Sequence, residues 1–271
     1  MFQNLKKTMT TKLSVFILAH NSEDKIEGAL KSVQWVDEVV VIDSHSVDRT
    51  AEIAARYGAK VVQVDFEGFG KLRLAGIANT THDWIFSLDT DERCTPEAQG
   101  EIQRIIRSKD AADAYHTPRR NYFMGREIKY SGFYPDYRQP QLFRRGKMTF
   151  PSKDLVHEGY ELVGRLDYMK NAIVQIPFLT LSEVLEKANR YSSLSAEKLS
   201  RKSRQTSGVG AFIHGLAMFL KMYVFKLGFL DGLPGFVLAF SNLEGTFYKY
   251  AKLAEMNREK LHPEEECGES S

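Results

Sequence analysis

Cysteine is nearly absent. Cys94 and Cys267 are the only two in 271 residues, far apart and without metal-ligand spacing. That excludes a disulfide framework and a zinc site, and it fits a reducing, cytosolic compartment. Net charge is missing too. With 37 Lys and Arg against 35 Asp and Glu the formal charge is +2, so any basic surface has to be local and nucleic acid is not an expected partner. The N-terminal stretch lacks a long apolar run: Leu13–Leu18 is too short for the apolar region of a secretory leader, and no small-residue cleavage site follows it. There is no internal repeat. Two phosphate cradles are also missing. No G-x-G-x-x-G opens the first helical pattern, and no G-x-x-x-x-G-K-S/T occurs. In place of such a loop the chain reads "NSEDKIE", with Glu23 and Asp24 in a helix first turn. Those carboxylates already complement the helix dipole and would repel a diphosphate. Dinucleotide dehydrogenases and P-loop enzymes are thereby excluded.

What is present alternates. Leu13–Leu18, Glu38–Asp43, Lys60–Val64 and Trp84–Leu88 are short, apolar and mostly β-branched or aromatic, which predicts strands. Ser22–Val33, Asp48–Tyr57, Lys71–Ala78 and Glu97–Ile106 carry helical spacing, and Thr95-Pro96 reads as the cap and first turn of the last of these. Strand–helix alternation implies parallel pairing with right-handed crossovers, so the fold class is α/β with a mostly parallel central sheet. In such sheets ligands sit beyond the carboxyl ends of the strands. Those ends hold Ala19-His20-Asn21, Asp43-Ser44 and Asp89-Thr90-Asp91. From about Asp113 to Pro177 the pattern turns irregular, aromatic and basic, with short strands expected at Gln141–Arg144 and Ala172–Ile176. From Ser182 onward the chain reads as helix. The expected organisation is a catalytic α/β domain over 1–180, membrane-associated helices over 181–256 and a disordered acidic tail over 257–271.

Asp89 and Asp91 place two like charges at the end of an apolar run, just before a capped helix. Hard carboxylate oxygens of this kind bind Mg2+ or Mn2+, and the ion bridges to phosphate oxygens. The alternative is a solvated strand-to-helix turn with Asp91 near the cap. The apolar run before the pair and the capped helix after it favour the metal.

Three stretches, "LSVFILAHNSEDKIEGALKSVQWVDEVVVIDSHSVDRTAEIAARYGAKVV", "FEGFGKLRLAGI" and "WIFSLDTDER", closely resemble the family-2 glycosyltransferases with a GT-A fold. "SGFYPDYRQPQLFRR", "DLVHE" and "GFLDGLPGFVLAFSNLEGTFYKYAKL" narrow the resemblance to the lipopolysaccharide-core β-glucosyltransferase branch. The resemblance runs from about Leu13 to Leu253. It implies inverting, single-displacement transfer of a sugar from a UDP-sugar. By position it places Ala19 and Asn21 around the nucleobase and ribose, Asp43 on the uracil edge and Lys71 near the base or diphosphate. Asp89 would sit by the ribose and metal, and Asp91 would ligate the metal. The first motif departs from the branch, which often has Lys-Asn-Glu where this chain has His20-Asn21-Ser22-Glu23, so Glu23 is assigned no role. Inversion needs one general base on the opposite face of the sugar. The family pattern places an acid in "DLVHE", making Glu158 the first candidate and Asp154 the second, with His157 beside them as a further metal or phosphate ligand. The middle segment reads as an acceptor site. Arg119, Arg120, Arg126, Arg138, Arg144 and Arg145 interleave there with tyrosines and phenylalanines, whose faces suit sugars as arginine forks suit phosphates.

Lys198, Arg201, Lys202 and Arg204 precede the apolar segment Val209–Leu227, which is interrupted by His214, Lys221 and Lys226. His214 and Lys221 are seven apart and share a helical face. Asp231-Gly232 and Pro234-Gly235 break the pattern before a second apolar helix. Two amphipathic helices lying in the membrane interface explain these interruptions better than two spans, and a buried helical cap is the alternative. The expectation is a metal-dependent, inverting hexosyltransferase, peripheral on the cytoplasmic face of a bacterial inner membrane. It would move a hexose, glucose by preference, from a UDP-sugar to a lipopolysaccharide-core or other lipid-linked glycan. Rival readings are a sugar nucleotidyltransferase, which wants a Gly-rich basic loop that "AHNSEDK" lacks, and a non-catalytic membrane adaptor.

Overall fold

The computed structural model describes residues 11–151, 159–202 and 206–261. The chain divides into two compact units, Met1–Arg120 with Pro135–Ile176 and Asn121–Tyr134 with Pro177–Ser271.

The first unit opens as alternation predicts: β1 (Leu13–Ala19), α1 (Glu23–Ser32), β2 (Glu38–Asp43), α2 (Thr50–Arg56), β3 (Lys60–Gln63), α3 (Phe69–Asn79) and β4 (Trp84–Asp89). After a two-residue strand, β5 (Glu92–Arg93), comes α4 (Pro96–Arg107), with Thr95 accepting the Ala98 amide at 3.1 Å and Pro96 in the first turn. β6 (Ala114–His116) follows, and then β7 (Arg119–Phe123), whose last residues belong to the second unit, as does β8 (Arg126–Ile128). The first unit resumes with β9 (Leu142–Arg144), β10 (Met148–Thr149), β11 (Glu161–Leu162), β12 (Leu166–Tyr168) and β13 (Ile173–Gln175).

Its main sheet has the order β12-β6-β9-β4-β1-β2-β3. β1 pairs in parallel with both β2 and β4, β2 with β3, and β6 with β12; β9 is antiparallel to β4 and β6. All seven residues of β1 are buried, as expected of a central parallel strand covered on both faces. Its side chains divide by the two-residue period of a strand. Val15, Ile17 and Ala19 join Ile26, Leu30, Ile53, Ala98 and Ile102 under the helices of one face. Phe16 and Leu18 join Val40, Ile42, Leu72 and Ile85 on the other. There α3 lies close to the sheet, because Gly76 carries no side chain: a Cβ would stand 2.6 Å from the Phe16 ring. The irregular middle segment holds more strands than the pattern predicts. Each has two to five residues, too few to show an alternation, and each is defined by its partner.

In the second unit β7 and β8 form a hairpin. Its two-residue turn, Met124-Gly125, has both φ values positive at 49° and 73°, as a type I′ turn requires. Three helices follow, α5 (Leu181–Arg201), α6 (Gly208–Leu220) and α7 (Leu233–Leu261). Phe123, Ile128, Val184 and Leu238 form their core with the hairpin. The break expected at Asp231-Gly232 is there: Leu227 and Gly232 have φ of 56° and 68°, bracketing a 3₁₀ turn, Gly228–Asp231. Pro234-Gly235, also expected as a break, lies in the first turn of α7, where a missing proline N–H leaves no bond unmade. His214 stacks on Tyr250 at 4.3 Å, and Lys221 opens a wide π turn, Lys221–Phe225. By length and composition Gly208–Phe225 suffices to cross a membrane, and only 17% of it is buried within the chain. Phe225, Val209 and Leu233 are 79%, 72% and 62% exposed.

Replacing Gly76→Ala drives a methyl into the Phe16 ring. It should destabilise the protein by about 1–3 kcal/mol, as overpacking does, read as a lower denaturant midpoint with the slope unchanged.

Candidate active site

Strand register brings the predicted residues to one edge. Ala19 pairs with Asp43 and Leu18 with Asp89, so the carboxyl ends of β2, β1 and β4 stand side by side. The two loops leaving β1 and β2 are knitted together. The Asn21 amide donates to Ser46 Oγ at 2.8 Å, and Asn21 Oδ1 accepts the Val47 amide at 2.9 Å. Asn21 itself sits at φ 43°, a left-handed conformation asparagine tolerates. Asp43 is fully buried. Its carboxylate accepts the Ser46 hydroxyl, the Ser46 amide at 3.2 Å and Gln63 Nε2 at 2.8 Å, so it shapes the loop that follows β2. At the first turns of α1 and α2 the acids cross over. The Glu23 amide donates to Asp48 at 3.0 Å, and the Arg49 amide donates to Glu23 at 3.0 Å. Each helix start thus receives a carboxylate from the neighbouring segment, whereas the sequence pattern assigns the Glu23 carboxylate to the first turn of its own helix.

The D-x-D turn is held from beneath by a buried acid that reasoning from the sequence passed over. Glu92 has no exposure. One carboxylate oxygen accepts Arg119 Nε at 2.5 Å, and the other accepts the Asp89 amide at 2.9 Å and Gln141 Nε2 at 2.8 Å. Burial pushes the Glu92 carboxyl up, Arg119 pulls it back, and the charges of Asp89 and Asp91 push it up further. Arg119 continues to the Asp136 carbonyl at 3.3 Å, and the Asp136 side chain accepts Arg138 Nη2 at 3.0 Å. Arg138 also reaches Gln175 Oε1 at 3.3 Å, and Gln175 Nε2 donates to Asp91 at 3.0 Å. A chain of polar contacts thus leaves the turn at Asp89 and returns to it at Asp91. Arg93 clamps the turn from its other side, donating to the Thr90 and Glu92 carbonyls at 2.7 Å and to the Lys25 carbonyl at 2.6 Å. It passes where a side chain on Gly28 would stand: a Cβ there would lie 2.3 Å from Arg93 Nε.

The cations of the two basic motifs have partners of their own. Lys71 lies in the first turn of α3, ion-paired with Glu67. Two positions on, Arg73 is 2% exposed, donates to Ser87 Oγ at 2.7 Å and approaches Asp89 at 3.5 Å. Arg73 is therefore a cation of that motif held beside the D-x-D turn. Arg144 and Arg145 do not join an acceptor site. They lie at the amino end of β4, Arg144 over the Trp84 ring at 4.5 Å and Arg145 on the carbonyls of Ile77 and His82 at 2.7 and 3.0 Å. Asp154, His157 and Glu158 lie outside the described residues. Among the described residues no group of three or more His, Cys, Asp and Glu side chains is arranged to hold a metal ion.

The model of the family described as Glycosyl transferase family 2 matches residues 14–170. An uncharacterized glycosyltransferase of Rickettsia typhi is 27% identical over 257 residues, 91% of this chain and 88% of its own length. The lipopolysaccharide core biosynthesis glycosyltransferase LpsC of Rhizobium meliloti is 24% identical over 261 residues, 93% of this chain and 95% of its own. Among solved structures, S. aureus TarS 1-349 aligns over 92% of both chains at 17% identity with a TM-score of 0.48. Glucosyl-3-phosphoglycerate synthase from Mycobacterium tuberculosis, in complex with Mn2+, UDP and glucosyl-3-phosphoglycerate, aligns at 24% identity over 41% of this chain with a TM-score of 0.35, and this chain spans 44% of it.

Arg119→Met strands the buried Glu92 carboxylate and should lower stability by about 3–5 kcal/mol. The double variant Glu92→Gln with Arg119→Met should recover most of that loss in chemical denaturation, because no uncompensated charge remains.

Proposed function

Because the chain belongs to glycosyl transferase family 2, we propose that it transfers a hexose, glucose by preference, from a UDP-sugar to a lipopolysaccharide-core or other lipid-linked glycan, with inversion. The observation that carries this reading is the D-x-D turn at the carboxyl edge of the sheet, held from below by Glu92 and Arg119. The likeness to LpsC over nearly the whole chain supports the acceptor class.

Ala19 and Asn21 line the nucleoside site, with Asp43 supporting its loop. Asp89 and Asp91, half-buried carboxylates one residue apart, fit an Mg2+ or Mn2+ ion that takes water and phosphate oxygens as its other ligands. Such an ion, when bound, neutralises the charge that develops on the departing diphosphate. Arg73 holds the Asp89 carboxylate in position from behind, and Gln175 does the same for Asp91. Lys71, at the start of α3, lies within the motif expected to meet the diphosphate, and His157 is a further candidate ligand. Glu158 is the proposed base, taking the proton from the acceptor hydroxyl as it attacks the anomeric carbon from the face opposite the leaving group.

The exposed apolar side chains of the second unit support peripheral attachment to the cytoplasmic face of the inner membrane. Phe225, Phe229 and Leu230 are 79%, 47% and 48% exposed, and Lys221 and Lys226 are exposed beside them. Apolar groups entering the interface with lysines at anionic head groups is the pattern of a monotopic anchor.

Titration with UDP-glucose and Mn2+ tests the donor side. Asp91→Ala should abolish Mn2+-dependent binding, whereas Glu158→Gln should bind the donor and fail to transfer. Normal turnover by Glu158→Gln would remove Glu158 as the base. On the membrane side, Phe225→Asp with Leu230→Asp should leave thermal stability unchanged and reduce co-sedimentation with vesicles of mixed neutral and anionic phospholipid. Undiminished sedimentation would count against the anchor.

A further inference from the structure

β6 and β12 lie beyond β9 from the D-x-D strand, and both run parallel to β4, so their carboxyl ends open on the same edge of the sheet as Asp89. Register places Tyr168, the last residue of β12, opposite His116, the last of β6. Four aromatic rings meet there. His116 is 6% exposed and forms the base, stacked on Tyr168 at 5.1 Å and 24°, with its Nε2 at 3.2 Å from the Tyr160 hydroxyl. Tyr137 stands against both: its ring is 6.1 Å from His116 and 5.1 Å from Tyr168, at 80° to the latter. The two tyrosines at the top are wet, 41% and 53% exposed. They form a near right-angled corner, with buried His116 below and both tyrosine rings partly exposed.

We propose that this corner, Tyr137 and Tyr168 seated on His116, is where a pyranose ring of the acceptor glycan rests. The inference depends on the glycosyltransferase reading and adds to it a site for the second substrate. Aromatic faces carry partial negative charge and a broad apolar surface, which matches the C–H faces of a sugar ring, and a perpendicular pair cradles a ring from below and from the side. Position supports the assignment. Three strand spacings separate β12 from β4, about 14 Å, within reach of an oligosaccharide extending from the reaction centre. The segment Asp136–Arg138 contacts both places. Tyr137 turns to the corner, while its neighbour Arg138 turns to Gln175, the residue that holds Asp91. Burial, together with the charge of Arg119, holds the His116 pKa below its usual value. The base of the corner is therefore a neutral ring at neutral pH.

The test is a calorimetric titration of the full-length protein, saturated with UDP and Mn2+, with deacylated inner-core lipopolysaccharide oligosaccharide as the probe. The wild type should bind saturably. Tyr168→Ala and Tyr137→Ala should each weaken binding by about tenfold, as loss of an aromatic face does, and Tyr168→Phe, which keeps the ring, should bind like the wild type. Melting temperatures near wild type would show that the variants fold, and Tyr137→Leu repeats the loss of the face with an apolar side chain in place. Equal affinity in the Tyr137→Ala and Tyr168→Ala double variant, or no saturable binding by the wild type, would overturn the proposal. Oligosaccharide binding that depends on the tyrosines, in a protein that fails to bind UDP-glucose, would keep the corner and remove the transferase reading instead.

Discussion

A carboxylate buried beneath two others is an arrangement that electrostatics opposes, and the active edge of this protein is built on one. Glu92 lies fully inside the fold, directly after Asp91 and three residues after Asp89. Burial and the neighbouring acids both favour its neutral form, and the Arg119 guanidinium at 2.5 Å opposes them. Because Arg119 is itself buried, neither partner is solvated when the other is missing. The Glu92 carboxylate also receives the Asp89 amide. The same group that neutralises Arg119 therefore sets the backbone of the turn that presents Asp89 and Asp91.

The arginines around this pair perform different tasks despite their similar sequence setting. Arg119 neutralises, Arg93 clamps the turn to the α1 backbone, and Arg73 bears on Asp89 from α3. Arg144 and Arg145 close the opposite end of β4 on Trp84 and on backbone carbonyls. Planar guanidinium groups suit each of these places because they pair with carbonyls, carboxylates and ring faces alike. Composition shows that such a segment is rich in arginine; it cannot sort which of them face a ligand.

The two units expose different chemistry. The first unit gathers Asp43, Asp89, Asp91 and the buried Glu92 at the carboxyl edge of its sheet, and the second leaves large apolar side chains of α6 and the following turns uncovered. Burial of β1 on both faces builds the sheet that carries the site, whereas Gly208–Phe225 remains largely unburied within the chain.

Sequence alone determined the alternation of strands and helices, the cap at Thr95, the carboxyl-edge location of Asp43, Asp89 and Asp91, and the apolar character of the last helices. Each of these rests on periods of two or 3.6 residues, or on contacts within a single turn, which neighbouring residues encode. The Ser22–Val33 and Glu97–Ile106 patterns accordingly lie within a residue of α1 and α4. Tertiary structure decided the rest. It paired Glu92 with Arg119 across 27 positions and Asp91 with Gln175 across 84. It inserted the antiparallel β9 between β4 and β6, and it brought Tyr137 and Tyr168 to one corner. Strands of two or three residues carry no readable period, and a buried charge is defined by a partner that only the folded chain supplies.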